Sequence, residues 1–216
     1  MSSEIPKQYL PLHNSTVIEQ TLSRLARHPL IKGIVVAIAQ DDKHWRALSV
    51  TLEKELIEAP GGAERCNSVL NCLTTLTNYA EPEDWVLVHD AARPCLRLSD
   101  MDKLIVELSN HPVGGLLAVP VRDTMKRSDP KNDVIGTVDR SGLWHALTPQ
   151  MFRLGMMKES LLGALEKGVL VTDEASAMEL QGLHPHLVEG TGDNIKITHP
   201  TDLALAEFYL RQQETL

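Results

Sequence analysis

The stretch Gly33-Ile34-Val35-Val36-Ala37-Ile38-Ala39 carries no charged or polar side chain. An unbroken apolar run of strand length, without alternation, is the form of a parallel strand covered on both faces. Its surroundings follow the same logic. Upstream, Thr16-Val17-Ile18-Glu19 reads as a capping box, and Ile18, Leu22 and Leu25 recur at helical spacing. That helix should stop near His28-Pro29, because the residue before a proline resists the α region. Downstream come a charged helix over 41–48, a short strand over 56–59, the Gly61-Gly62 break, and a helix with Val69, Leu73 and Leu76 on one face. Trp85-Val86-Leu87-Val88 is the next strand, and Ser99 caps a helix carrying Met101, Leu104, Ile105 and Leu108. A further strand spans 116–120. Strands alternating with helices predict an open, mostly parallel α/β sheet with right-handed crossovers.

The rhythm changes between Val121 and Trp144. Two short β-prone stretches, ending in and starting from the polar run Ser128-Asp129-Pro130-Lys131-Asn132-Asp133, predict a hairpin arm projecting from the sheet. An arm with so few apolar residues cannot build its own core, so the expectation is that it packs on a second subunit; the alternative is a long surface loop. Beyond it, helices are expected over 152–166 and from Thr172, strands over 187–189 and 195–198, and a last helix over 201–212. The whole, 1–216, reads as one domain with a β-arm at about 121–144.

Composition narrows the function classes. The 216 residues carry 21 Lys plus Arg against 29 Asp plus Glu, a net charge of -8. Such a chain is a poor partner for nucleic acid or an anionic membrane surface. A polyanionic ligand would have to be held by a few locally placed cations, usually with a metal. No apolar run approaches a membrane span, and the longest, 115–121, fits a buried strand. The N-terminus lacks the basic and apolar regions of a secretory signal. Cys66, Cys72 and Cys95 are too few and too scattered for a disulfide framework or a zinc cluster, and a cytoplasmic location is expected.

In open parallel sheets, ligands sit beyond the carboxyl ends of the strands. Three polar groups fall at such ends: Gly61-Gly62, His89-Asp90-Ala91-Ala92-Arg93-Pro94, and Asp193-Asn194-Ile195-Lys196. Asp90, directly after a buried strand, is a rigidly mounted carboxylate of the kind Mg²⁺ uses together with substrate phosphates, or else a turn cap. Arg93 offers a planar fork to a phosphate, or pairs with a surface acid. His184-Pro185-His186 lacks a third ligand nearby and reads as a surface turn. Thr172-Asp173-Glu174-Ala175 reads as a helix start with acids at its positive end, and Asp173 keeps a functional option.

Taken in order, the motifs are more specific than their parts. Pro6-Lys7-Gln8-Tyr9-Leu10, Gly61-Gly62-Ala63-Glu64-Arg65 with Ser68, and residues 86–94 are followed by Pro120-Val121-Arg122-Asp123-Thr124, Leu147-Thr148-Pro149-Gln150, Thr172-Asp173-Glu174-Ala175 and residues 190–196. The string resembles the 2-C-methyl-D-erythritol 4-phosphate cytidylyltransferases from Pro6 essentially to the end. The resemblance implies a Rossmann-like nucleotidyltransferase that forms a homodimer through its β-arm. It implies reaction of CTP with methylerythritol phosphate, with Mg²⁺, to give the CDP-alcohol and pyrophosphate for non-mevalonate isoprenoid synthesis. Carried over residue by residue, Lys7 looks like the catalytic lysine at the α-phosphate, and Asp90 and Asp193 look like the metal-binding acids. Gly61, Gly62 and Ser68 look like the cytosine contacts. Arg93, Thr124, Arg140, Thr148 and Lys196 look like the methylerythritol phosphate pocket, with Thr124 and Arg140 reaching the neighbouring subunit's site.

The family pattern normally opens with an apolar strand and a glycine-rich loop that ends in basic residues and wraps the triphosphate. Here Met1 stands five residues ahead of Pro6-Lys7-Gln8-Tyr9, without either. The expectation is a start placed at an internal methionine, with weakened CTP binding and activity in the chain as given; a cut chain or a genuine loss of the loop would leave the same sequence. Two further functional readings stay open. One is a pentitol-phosphate cytidylyltransferase sharing the nucleotide half of the site. The other is a non-catalytic dimer that binds a phosphosugar or nucleotide.

Overall fold

The computed structural model describes residues 5–215. A 3-10 turn at Lys7–Tyr9 and a small hairpin, β1 (Pro11–Leu12) with β2 (Ser15–Thr16), lead into helix α1 (Val17–Ala26). The capping box is in place: the Glu19 carboxylate accepts from the Thr16 N–H at 2.9 Å, and the Thr16 hydroxyl oxygen accepts from the Glu19 N–H at 3.4 Å. The helix closes at Arg27, just ahead of His28-Pro29. The chain continues through β3 (Gly33–Ile38), α2 (Lys43–Ala47), β4 (Glu55–Pro60), α3 (Arg65–Leu76), β5 (Trp85–Val88) and α4 (Leu98–Leu108). After these come β6 (Gly114–Pro120), the arm strands β7 (Met125–Ser128) and β8 (Val134–Val138), β9 (Trp144–Arg153), α5 (Leu154–Glu166), α6 (Glu174–Glu179), β10 (His186–Glu189) and α7 (Pro200–Glu214).

Four strands form the central sheet in the order β10-β6-β9-β5. β6 and β10 are parallel, while β9 runs antiparallel to both β6 and β5. Three strands therefore share one direction and β9 alone is reversed, which keeps the sheet mostly parallel in the sense expected. β3 and β4 pair in parallel as a separate two-stranded ladder. Alternation sorts the side chains of the central sheet to two cores. Leu116 and Phe152 face one side with Leu73, Leu154, Met157, Leu161 and Met178; Leu117 and Met151 face the other with Leu96, Met101, Leu104, Leu108 and Val188. Helices α3, α5 and α6 thus cover one face and α4 the other. Each fully buried side chain of this size contributes on the order of 1.5–3 kcal/mol.

Five details differ from expectation, the first being β9, a ten-residue strand over Trp144–Arg153 where none is expected. The run 33–39 is not covered on both faces: only Ile38 of β3 is fully buried, because β3 has β4 as its single ladder partner among the described residues. The helix expected over 152–166 starts at Leu154, since Phe152 still belongs to β9. Ser99 lies inside α4 rather than capping it; Arg97 holds the cap position and makes no side-chain cap bond. Residues 195–198 form no strand; they are tied to the loop after β5 by the Ile197 N–H to the Ala92 carbonyl at 2.8 Å and by Lys196 to Asp90 at 2.8 Å. The arm is a hairpin. Among the described residues β7 and β8 pair only with each other, across a turn in which Asn132 takes a positive φ of 68°.

Candidate active site

β5 delivers two residues off its carboxyl end, and each has a distinct fate. His89 turns inward. Its Nε2 bonds the Arg93 carbonyl at 2.9 Å, so Nε2 carries the proton and Nδ1 is left to accept from the Thr148 hydroxyl at 2.9 Å. The Thr148 oxygen in turn accepts from the Asp90 N–H at 3.1 Å. Burial pushes the His89 pKa down to about 4, so the ring is neutral near pH 7 and serves as a fixed brace for the Asp90 backbone.

Asp90 turns outward into a ring of cations. Its Oδ2 lies 2.8 Å from Lys196 Nζ and 3.6 Å from Arg93 Nε, and its Oδ1 lies 3.1 Å from Arg65 Nε. Burial works to raise the Asp90 pKa, but Lys196 and Arg65 outweigh it and hold the group at about 2. Lys196 comes from the loop after β10, Arg93 from the loop after β5, and Arg65 from the first turn of α3. Arg93 is itself clamped, donating to the Asn194 carbonyl at 2.6 Å, while the Asn194 amide donates to the Thr148 carbonyl at 2.8 Å. Arg65, Asp90, Arg93 and Lys196 line a cavity of about 230 Å³ together with Ala146, Leu147, Thr148, Gln150, Thr172 and Asp173.

Lys7 belongs to the same electrostatic neighbourhood. Burial, then the charge of Lys196, depresses its pKa; Asp90 pulls the other way and Arg93 adds to the depression. An ammonium held among other cations and partly stripped of water is poised for a polyanion. The turn that carries it is pinned from the far side, because the Tyr9 hydroxyl donates to Asp42 at 2.7 Å.

The remaining expected residues are placed as follows. Gly61 and Gly62 form the turn between β4 and α3. A Cβ on Gly61 would stand 3.2 Å from the Ala39 nitrogen, and one on Gly62 would stand 2.4 Å from Asn67 Cβ and 2.8 Å from the Ser68 nitrogen. Ser68 closes this turn, accepting from the Gly62 N–H at 2.9 Å. Asp193 is not joined to Asp90; it pairs with Arg97 at 2.6 Å and accepts from the Gln213 amide at 3.1 Å, while its Oδ1 is buried without a hydrogen-bond partner. Thr124 and Arg140 are exposed at the base of the arm, outside the cavity lining. Arg140 donates to the Arg122 carbonyl. The structure therefore gathers Asp90, Arg93, Thr148 and Lys196 at one cavity, leaves Lys7 outside its lining but within reach of their charges, and leaves Thr124 and Arg140 apart within one chain.

Two cavity-side residues carry no functional role in the sequence pattern alone. Arg65 grips Glu174 with both terminal nitrogens, at 2.7 and 3.1 Å, while its Nε holds Asp90. Glu174 is fully buried. No local pattern could have paired residues 109 positions apart. The one available signal was that both lie inside the motifs Gly61-Gly62-Ala63-Glu64-Arg65 and Thr172-Asp173-Glu174-Ala175.

A mostly parallel α/β sheet that presents an ionised carboxylate among lysines and arginines beyond its strand ends has the design of a nucleotidyltransferase. Comparison with known proteins narrows the class. The sequence matches the family described as 2-C-methyl-D-erythritol 4-phosphate cytidylyltransferase over residues 1–212, and the chain belongs to that family. It is 50% identical over 214 residues to the enzyme of that name from Vibrio vulnificus strain YJ016, covering 99% of this chain and 90% of the relative. The Pseudomonas aeruginosa enzyme of the same name is 54% identical over 204 residues, covering 94% and 87%. Among solved structures, the 2-C-methyl-D-erythritol 4-phosphate cytidylyltransferase of Francisella tularensis superposes with a TM-score of 0.85 at 37% identity, covering 95% of this chain and 94% of that one. The structural relatives are Rossmann-like nucleotidyltransferases. Among the described residues, no helix is long and apolar enough to cross a membrane.

Proposed function

We propose that this chain transfers the cytidylyl group of CTP to 2-C-methyl-D-erythritol 4-phosphate, releasing pyrophosphate, in the synthesis of isoprenoid precursors. The observation that carries the reading is the cluster of Lys7, Arg93 and Lys196 around Asp90 in a chain whose net charge is -8. Family membership and the relatives' names support the same reaction.

A phosphate oxygen of methylerythritol phosphate attacks the α-phosphorus of CTP in line. The new P–O bond forms as the bond from the α-phosphorus to the bridging oxygen breaks, and its electron pair leaves with pyrophosphate. The attacking phosphate is already a nucleophile, so no proton has to be removed first. The protein must bring two polyanions together and neutralise the charge spread over the α-phosphate. Lys7 meets that charge, and Arg93 and Lys196 hold the attacking phosphate. Thr148, whose hydroxyl is engaged with His89 and the Asp90 backbone, shapes the floor between them. Gly61 and Gly62 let the turn pack closely on the end of β3 and the start of α3, which sets its backbone to meet the cytosine, and Ser68 keeps that turn closed.

The donor set suits magnesium. Asp90 is ionised throughout the working pH range, the Asp193 Oδ1 is a buried carboxylate oxygen without a protein partner, and Mg²⁺ usually takes one or two carboxylates plus phosphate oxygens. When bound, the ion would be held by Asp90 together with the triphosphate, whose charge it would neutralise; Asp193 pairs with Arg97 and stands outside the cavity lining, so it would join only if that pair opens. The arm serves a homodimer, bringing Thr124 and Arg140 to the neighbouring site. Val134 and Ile135, 64% and 62% exposed on β8, are the apolar surface such a contact would cover. Three free thiols, all buried or half-buried, suit the reducing cytoplasm.

The test compares methylerythritol phosphate with ribitol phosphate as acceptors for CTP. A clear preference for methylerythritol phosphate is expected. A preference for ribitol phosphate overturns the acceptor, and no pyrophosphate from either overturns the reaction.

A further inference from the structure

A fully buried carboxylate needs a reason. Glu174 opens α6 with no exposure to solvent, and a buried ion pair rarely stabilises more than an apolar pair of the same volume would. Its geometry is specific: both carboxylate oxygens are taken by the terminal nitrogens of Arg65, at 2.7 and 3.1 Å. A guanidinium held end-on by a carboxylate has its plane fixed, and its Nε can then point in one direction only. Here that direction is Asp90 Oδ1, at 3.1 Å. Lys196 takes the other oxygen at 2.8 Å, so each oxygen of Asp90 has an assigned cation and the carboxylate cannot rotate freely.

The far end of this strut is also anchored. Gln150 of β9, itself buried, accepts from the Ala175 N–H at 2.8 Å and donates to Asp173 at 3.0 Å, which ties the start of α6 to the central sheet. The near end sits on α3 directly after the Gly61-Gly62 turn. The Arg46–Glu58 pair, at 3.1 Å, is exposed, and its third member is the Trp45 indole N–H, at 2.8 Å from Glu58, rather than a second carboxylate.

We propose that Glu174 and Arg65 are positioning residues for cytidylyl transfer: Glu174 fixes the Arg65 fork, and Arg65 fixes the Asp90 carboxylate in its reacting orientation. The inference rests on the function proposed above. It adds a mechanical linkage from α6 through α3 to the carboxylate.

The experiment measures kcat and KM for CTP and methylerythritol phosphate in the parent, Glu174→Gln, Arg65→Lys and the double variant. Each value is normalised to the folded fraction determined by circular dichroism. Each single change is expected to lower kcat by between about tenfold and a hundredfold, the cost of a small misplacement of a reacting group, with both KM values within about threefold. The double variant is expected to be no worse than the weaker single variant, because Glu174 acts through Arg65. Losses that vanish on normalisation, singles within twofold of the parent, or losses that multiply in the double variant overturn the inference while the reaction stands. If Glu174→Gln does not fold, Arg65→Lys alone decides by the same kcat criterion. A parent without cytidylyl transfer overturns the reaction itself, and the inference with it.

Discussion

Lys196 Nζ lies 2.8 Å from Asp90 Oδ2, joining the loop after β10 to the loop after β5 across the mouth of the cavity. The contact is made at the carboxyl ends of β5 and β10, the two edge strands of the central sheet, with β6 and β9 between them. An ammonium in this position neutralises the aspartate in the resting chain and is placed to turn to an incoming phosphate.

Lys196→Met should therefore lower kcat for cytidylyl transfer by about a hundredfold, the usual cost of losing one donor to a developing charge. It should also raise the Asp90 pKa, since Lys196 is the leading cause of its depression after burial is set aside. Steady-state rates and carboxyl titration by NMR read the two effects. A variant with rates within threefold of the parent would remove Lys196 from the clamp.

Lys7→Ala should cost a similar factor in kcat and leave thermal stability nearly unchanged, because Lys7 is only half-buried and its turn is held by Tyr9 and Asp42. Tyr9→Phe removes that tie. It should lower kcat less than Lys7→Ala does, by loosening the turn. Equal losses in both, or a large fall in Tm for Lys7→Ala, would point to a structural lysine.

How much of this was legible beforehand depends on distance along the chain. Trp85–Val88 was readable to the residue, because an apolar run ending in His89-Asp90 has few alternatives. The capping box at Thr16 was readable because its partners are three residues apart. β9 was missed. Its leading half, with Trp144 half-buried and His145 and Ala146 exposed, has no clean period, and Pro149 with Gln150 resembles a turn. The gathering of Asp90, Arg93 and Lys196 was anticipated from strand ends and family motifs together. The Arg65–Glu174 grip was not, since a pair spanning α3 and α6 leaves no trace in local periodicity.

Stability should respond to acid through His89. Its pKa is about 4 in the folded chain against 6.5 when free, so the unfolded chain binds more protons between those values. The stabilisation is fully present above about pH 6.5 and is lost as pH falls toward 4, by roughly 3 kcal/mol at most. His89→Gln should flatten that part of the pH–stability curve, whatever it costs at pH 8. Parallel curves for parent and variant between pH 7 and 4 would show that the imidazole is not held neutral.

Gly62→Ala should destabilise by about 1–3 kcal/mol, because the new methyl meets the Asn67 Cβ and the α3 backbone, which cannot give way without moving the helix start. Thermal melts should show a Tm lower by roughly 2–10 °C. Gly192→Ala is the control for crowding, since nothing stands within 4 Å of its added methyl and its φ is outside the left-handed region. A Gly62→Ala chain as stable as the parent would contradict the close packing of this turn.

The arm offers a test of subunit sharing. If Arg140 serves the partner's pocket, mixed dimers of Arg140→Ala and Lys7→Ala chains should regain activity in the site that receives an intact Arg140 and an intact Lys7. Ile135→Lys, placed on the exposed face of β8, should shift the chain toward monomer in analytical ultracentrifugation. No regained activity in mixtures, with an active parent, would confine each site to its own chain.

The most direct measurement follows the phosphorus atoms. The chain is incubated with CTP, methylerythritol phosphate and magnesium while ³¹P NMR tracks the products, with Asp90→Asn run alongside. The parent should yield matched signals of pyrophosphate and a new diphosphate ester, and the variant should fall to background. A parent that leaves both reactants untouched, or an Asp90→Asn chain as fast as the parent, would contradict a transfer carried out at this carboxylate.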